Sequence, residues 1–391
     1  MVRLADKKDC TGCTACFSAC SIGAVEMLPD AEGFLYPRVN AEKCVECGSC
    51  SSACPMLHID SLRSDNVISA YGMKHKDSEL RKNSASGGAF SAIAQYMIRK
   101  HNAYIFGAAF NESFKVVHIC GSSCEELQPM RSSKYVQSDL GETFRNIKKL
   151  LDSGEFVVFT GTPCQVHGLK CFLKKDYPGL LTVDLICHGV PSPKIWRDYI
   201  EFIENRYKGK LTGCNMRSKW KGIHTKIEID CSRTYEDEND VLSFLDIYHS
   251  LYSMRPSCFR CKYTNLKRVS DITIADFWGL ENVNPAFSDE SGVSFILLNT
   301  KKGTNVFDGS KCETDFFESQ PDKSRQPHLR MPIKINSESE RKRFWRIYRR
   351  KGYKGIAVHY SRFSPMGKFE KEFRRFKTRV LNKLNRILQK L

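Results

Sequence analysis

Between Val67 and about Pro332 short apolar runs alternate with amphipathic stretches, a pattern that predicts mixed α/β architecture. Phe90, Ile93, Ala94, Met97 and Ile98 recur at helical spacing behind Gly87 and Gly88. The run AYIFGAAF (Ala103 to Phe110) follows as a strand. EFVVFT (Glu155 to Thr160) predicts a buried strand, the segment after Pro163 a helix, and LLTVDLIC (Leu180 to Cys187) a second strand, which together make a βαβ unit. Further strands are expected at Lys226 to Cys231, Asp271 to Phe277 and Val293 to Asn299. Beyond Pro332 strand signals stop. Phe369, Phe373, Phe376, Val380, Leu384, Ile387 and Leu391 then recur at steps of four, three, four, four, three and four, the stripe of an amphipathic helix.

No run of about 18 apolar residues occurs, and the start MVRLADKKDC lacks a secretory apolar segment, so a cytoplasmic protein is expected. The 391 residues are 41% apolar, enough for two or three domains. Net charge is +17, but from Glu338 to Leu391 there are 18 Lys plus Arg against 4 Asp plus Glu. The basicity therefore sits in the tail, where it fits a helix on the body, an anionic membrane surface or a polyanion. No nucleic-acid-binding motif accompanies it.

Eighteen cysteines exceed what a reducing compartment explains by packing, so metal chemistry becomes the leading question. Residues 1 to 57 contain eight of them as two copies of C-x2-C-x2-C-x3-C, Cys10 to Cys20 and Cys44 to Cys54, about 34 residues apart. In such a run three thiolates come from one tight loop and the displaced fourth reaches the neighbouring cluster. Cys10, Cys13, Cys16 and Cys54 should hold one 4Fe-4S cluster, and Cys20, Cys44, Cys47 and Cys50 the other. Zinc ribbons use two C-x2-C pairs instead of this triplet pattern. The run resembles the two-cluster bacterial ferredoxin module, except that Ser21 stands where that pattern has Pro.

A third set is expected in the body. Cys164 and Cys187 follow consecutive parallel strands, whose carboxyl ends share one edge of a sheet, and Cys258 and Cys261 form a C-x2-C pair in a basic loop. Four thiolates suffice for a third 4Fe-4S cluster; a zinc site is the competing reading. Cys120, Cys124, Cys171, Cys214, Cys231 and Cys312 have no such context and read as packing residues.

SASGGAF, SSKYVQS, GTPCQ, ICHGVPSP, C-x2-C and SDITIADFWG, in this order from Ser69 to Cys312, resemble the family of the beta subunit of coenzyme F420 hydrogenase and dehydrogenase. With the ferredoxin module in front, the chain is similar to the bacterial branch met beside polysaccharide-biosynthesis genes; 7-hydroxymethyl chlorophyll a reductase is a plant relative. The resemblance implies a flavin, FAD, near an iron–sulfur cluster held by Cys164, Cys187, Cys258 and Cys261, with a flavin loop at Ser86, Gly87 and Gly88. Ser133, Lys134, Tyr135, Thr162 and Gln165 are candidates to line the flavin pocket, Asp276 and Trp278 to orient or stack on the cofactor, and His188 to relay a proton. The deazaflavin coenzyme F420 itself is left open as a substrate.

The expected class is α+β: a dicluster ferredoxin-like domain over residues 1–57, a mixed α/β flavin and iron–sulfur domain over 66–332, and a basic helical tail over 338–391. The function expected is an oxidoreductase passing electrons between ferredoxin-type clusters and a flavin, which exchanges two electrons with a small-molecule acceptor or a redox partner protein. The alternative is a non-enzymatic electron carrier serving a separate catalytic partner.

Overall fold

The computed structural model describes residues 2–60, 67–219, 224–335 and 337–363. The chain divides into two compact units, Met1–Pro193 with Arg217–Ile223 and Met254–Lys334, and Lys194–Met216 with His224–Ser253 and Ile335–Leu391.

The first unit is built on an eight-stranded mixed sheet. In spatial order its strands are Thr314–Ser319, Ser69–His75, Ser294–Leu298, Ile272–Asp276, Leu180–Leu185, Val157–Gly161, Tyr104–Phe110 and Val116–Gly121. The four from Ile272–Asp276 to Tyr104–Phe110 are mutually parallel, and the remaining pairings are antiparallel. Val157, Val158 and Phe159 are fully buried, as the continuous apolar run EFVVFT requires of a strand covered on both faces.

The expected βαβ unit is present. Val157–Gly161 leads through the helix Pro163–Leu173 into Leu180–Leu185, with Val157 paired to Leu180. The helix Ala89–His101 buries Ile93, Ala94 and Met97 of the predicted stripe, leaves Phe90 and Ile98 half-buried, and ends at Asn102 in the left-handed region.

Ahead of the sheet lie a two-stranded hairpin, Val25–Pro29 with Leu35–Val39, and the short helices Ala15–Ala19 and Ser49–Ser52. Cys13, Ala15 and Ala53 belong to the same apolar cluster as Phe144, Phe159, Val166 and Leu169, so the Cys-rich region and the sheet share a core. Arg145 fastens this joint, donating to the carbonyls of Phe17, Ser18 and Cys20 at the end of the first helix.

The second unit holds a three-stranded sheet, Arg233–Glu236, His224–Ile229 and Leu211–Ser218, with helices Pro193–Tyr207 and Ser243–His249. Arg217 and Ser218, the last residues of the third strand, fall in the first unit. The helix Glu338–Tyr360 packs in the second unit, burying Phe344, Trp345, Tyr348 and Tyr353, and is interrupted at Gly352, φ 60°. Tyr353 and Ser243 hydroxyls meet at 2.8 Å, and Lys194 donates to the Tyr348 hydroxyl at 2.6 Å. The apolar stripe from Phe369 to Leu391 lies outside the described residues. Among the described residues no helix is long and apolar enough to cross a membrane.

Candidate metal centres

The Cys-rich repeat is a repeat of backbone as well as of sequence. Gly12 and Thr14 have φ of 69° and 62°, and the residues 34 positions later, Glu46 and Gly48, have 52° and 73°. Each copy needs two left-handed residues, yet glycine fills the first position in one copy and the second in the other. Thr14 and Glu46 hold a conformation that costs an L side chain on the order of 1–2 kcal/mol, strain of a kind that concentrates at functional loops.

These turns gather the thiols in a crossed pattern. Cys10, Cys13, Cys16 and Cys54 line one cavity, walled by Leu4, Met27, Pro37 and Met56. Burial pushes the Cys16 thiol up to about 12 and Cys13 well above its usual range, and repulsion from Cys10 and Cys54 adds to both. Cys50 is raised by burial and then by Cys20, and these two share an apolar cluster with Ala24, Val25 and the half-buried Cys44. Cys47 is exposed. Cys54 thus lies with the first three thiols of the first run, and Cys20 with Cys44 and Cys50 of the second.

In the body, Cys164 opens the helix Pro163–Leu173 and Cys187 stands two residues past Leu180–Leu185, both at the carboxyl edge of the parallel strands. Cys258 and Cys261 lie in and just after the turn Pro256–Arg260. Burial raises Cys187 well above its usual range, followed by repulsion from Cys258, Cys164 and Cys261. Burial lifts Cys258 to about 12, with Cys261 and Cys164 adding. The Gly189 amide donates to Cys187 Sγ at 3.3 Å, and the Thr162 hydroxyl lies 3.1 Å from Cys164 Sγ.

A buried ion pair joins the segments that carry these thiols. Arg268 meets Asp184 at 2.7 Å, both side chains 2% exposed or less, and donates to the Tyr263 carbonyl at 2.8 Å, two residues past Cys261. Among the described residues no three His, Cys, Asp or Glu side chains converge as a single-ion site; zinc would need thiolates about 3.8 Å apart around it. Four clustered, half-buried thiols are a donor set that fits an iron–sulfur core, whose iron charge would offset that of the thiolates.

The first set and the body set are close through one helix. Four residues after Cys164, Gly168 faces the first set, and a Cβ there would stand 2.8 Å from Cys13 Sγ. Sequence reasoning missed Arg255, which is 1% exposed and donates to the Cys10 carbonyl at 2.8 Å. It also missed Gln137, whose amide group accepts from Arg255 and donates to the Thr11 carbonyl, each at 3.0 Å. Only the position of Arg255 three residues before Cys258 could have flagged it.

Residues 9–57 match the family model of the 4Fe-4S dicluster domain, and residues 154–323 match that of the C-terminal part of the coenzyme F420 hydrogenase/dehydrogenase beta subunit. The chain carries both domains. The two matched segments are those the motifs imply, a dicluster domain ahead of the C-terminal part of that beta subunit. A chain of the F420-reducing [NiFe] hydrogenase complex from Methanosarcina barkeri, a xenon-derivatized structure, is similar at 18% identity over 68% of this chain and 86% of its own, with a TM-score of 0.46. No curated protein matches.

The flavin candidates of this beta-subunit-like chain are only partly brought together. Arg217 pairs with Asp276 at 2.7 Å and reaches the Tyr135 hydroxyl at 3.5 Å. Lys219 donates to the carbonyls of Ser86, Ser291 and Arg81. Ser86, Tyr135 and Asp276 therefore surround two basic side chains that sequence reasoning did not single out, of which Lys219 has its pKa lowered to about 7 by burial and the neighbouring Arg217 and Arg81.

The other candidates have structural partners. Gly87 is wedged between strands, where a Cβ would come within 2.2 Å of the Met73 carbonyl oxygen and 2.5 Å of the Ser294 nitrogen. Gly88, φ 91°, precedes the helix Ala89–His101. Thr162 and Gln165 form a capping box on the helix Pro163–Leu173, and Gln165 also donates to Ser138 at 2.9 Å. Lys134 donates to the Pro129 and Arg131 carbonyls of its own loop. Ser133 is half-buried, and Trp278 is exposed. His188 Nδ1 is hydrogen-bonded to His328 Nε2.

Proposed function

We propose that this chain is an iron–sulfur flavoprotein oxidoreductase with three 4Fe-4S centres: Cys10, Cys13, Cys16 and Cys54; Cys20, Cys44, Cys47 and Cys50; and Cys164, Cys187, Cys258 and Cys261. The observation that carries the reading is the helix Pro163–Leu173, which begins at a body thiol and packs its Gly168 on Cys13 of the first set. Four residues of helix rise about 6 Å, which supports electron exchange between the two sets.

The clusters would supply one-electron transfer, and FAD at Ser86, Tyr135, Arg217, Lys219 and Asp276 the exchange between one and two electrons. Arg217 and Lys219 are suited to an anionic group, and Asp276 holds Arg217 in place. The exposed Cys47 makes the second set the natural meeting point for a redox partner protein. A small-molecule acceptor would be met at the flavin. Neither coenzyme F420 nor a polysaccharide precursor is singled out by these residues.

The test is quantification of iron, sulfide and flavin per chain in protein isolated without oxygen, followed by reduction with dithionite and exposure to two-electron acceptors. About 12 iron with a stoichiometric flavin supports the reading. The same iron with no flavin, and no turnover of acceptors, supports a second reading, an electron carrier for a separate catalytic partner. The inward-turned Lys134 and the wedged Gly87 favour that alternative.

A further inference from the structure

Arg255 belongs to two places at once. Its backbone lies in the turn of the body thiols: its amide donates to the Val190 carbonyl at 2.9 Å, and its carbonyl accepts from the Cys258 amide at 3.0 Å. Its guanidinium lies in the N-terminal repeat. Nε donates to the Cys10 carbonyl at 2.8 Å, Nη1 to Gln137 Oε1 at 3.0 Å, and Nη2 to the Leu35 carbonyl at 2.9 Å and toward Cys10 Sγ at 3.8 Å. The ring of Tyr36 is 4.3 Å from it.

No carboxylate pairs with this guanidinium among the described residues, although it is 1% exposed. A buried cation without an anion is strongly disfavoured. The groups facing it that a bound cluster would hold as thiolates are Cys10, Cys164 and Cys258.

The repeat shows that the site is particular to one copy. Gly12 leaves room for the guanidinium, since a Cβ there would lie 2.7 Å from Nη1. The equivalent position in the second copy is Glu46, exposed and beside the exposed Cys47. One copy is thus built around a buried positive charge, while the matching position in the other is an exposed acidic residue.

We propose that Arg255 is a potential-setting residue: its guanidinium raises the reduction potential of the centre held by Cys10, Cys13, Cys16 and Cys54 above that of its twin, so that an electron arriving at Cys47 moves inward. The inference rests on the three-cluster reading above. A fixed cation favours the reduced, more negative form of a thiolate-ligated cluster, and an adjacent carboxylate disfavours it. In the step itself the outer centre loses one electron and the inner centre gains it; no bond or proton changes.

The test is an anaerobic potentiometric titration followed by electron paramagnetic resonance, with iron and sulfide measured on the same samples. Wild type is compared with Arg255→Met, Arg255→Lys and Gln137→Glu. In wild type the two N-terminal centres should titrate apart. Arg255→Met should lower the midpoint of the higher one, with about a tenfold change in its oxidised-to-reduced ratio, about 59 mV for one electron, and leave the lower one in place. Arg255→Lys should restore most of the shift.

Gln137→Glu keeps the guanidinium and sets a carboxylate against it, so it should move the same midpoint in the same direction, and it decides the matter if Arg255→Met does not fold. Unmoved midpoints in iron-replete variants, an equal shift of all centres, or loss of iron with the remaining midpoints unchanged would overturn the assignment to Arg255 while leaving the clusters standing. A wild-type chain that takes up no iron would overturn the three-cluster reading itself.

Discussion

His118 shows how a single buried side chain gives this fold a pH dependence. Its Nε2 lies 3.0 Å from the Thr160 carbonyl, so that nitrogen carries the proton, while Nδ1 is buried with no hydrogen-bond partner among the described residues. A second proton would place an unpaired cation there, and burial accordingly lowers the pKa to about 4. Between about 4 and the ordinary 6.5 the unfolded chain binds more protons than the folded one, so stability rises with pH across that window and is lost on acidification through it. Part of the residue reaches the surface, so the expected size is about 2 kcal/mol. Melting of the cluster-loaded protein at pH 7 and pH 5 should show a smaller loss in His118→Phe than in wild type; an equal loss would mean that other groups set the acid sensitivity. Residues of this kind are not legible in a sequence. The cysteines stand out by spacing, whereas Arg255 is one of 61 basic residues, and nothing in its local pattern separates a buried guanidinium from a surface one.

At the scale of elements, the strands and helices of the βαβ unit were readable because apolar periodicity and the turn residues agree. The capping box at Thr162 and Gln165 starts the helix one residue before Cys164, which fixes the height of that thiol at the sheet edge. The same two residues read as flavin-pocket candidates in the sequence, since a motif does not reveal which way a side chain turns. The helix also predicts a reversal of a common rule. Gly→Ala inside a helix normally stabilises by up to about 1 kcal/mol. Gly168→Ala should instead destabilise by about 1–3 kcal/mol and reduce iron in the first set, because its Cβ would stand 2.8 Å from Cys13 Sγ. A higher melting temperature with full iron content would show that the Cys13 contact is not tight. The Arg268 and Asp184 pair makes a second element-scale prediction. Arg268→Met strands a buried carboxylate and should cost about 3–5 kcal/mol in denaturant unfolding. It should also loosen the body set, since the Tyr263 carbonyl loses its donor. Retained stability would mean that the loop is held otherwise.

At the scale of the whole molecule, the duplicated Cys-rich region and the mixed α/β body were legible, because each announces itself by a distinct spacing; the helical spacing read beyond Pro332, from Phe369 to Leu391, lies outside the described residues. The grouping of Lys194–Met216 and His224–Ser253 with Ile335–Leu391 was not. It depends on contacts far apart in sequence, such as Tyr353 on Ser243, that no local pattern encodes. The shared core of the Cys-rich region and the sheet was equally invisible, and it matters most for function, since it sets Cys13 against the helix of Cys164. The proposed function requires the body thiols to form a third iron–sulfur centre of their own. The decisive comparison is iron and sulfide per chain in wild type and Cys164→Ala, both isolated without oxygen. Three independent centres predict about 12 iron in wild type and about 8 in the variant, with the signals of the N-terminal pair intact. Equal iron in the two proteins, or the loss of all iron from the variant, would refute a separate third centre.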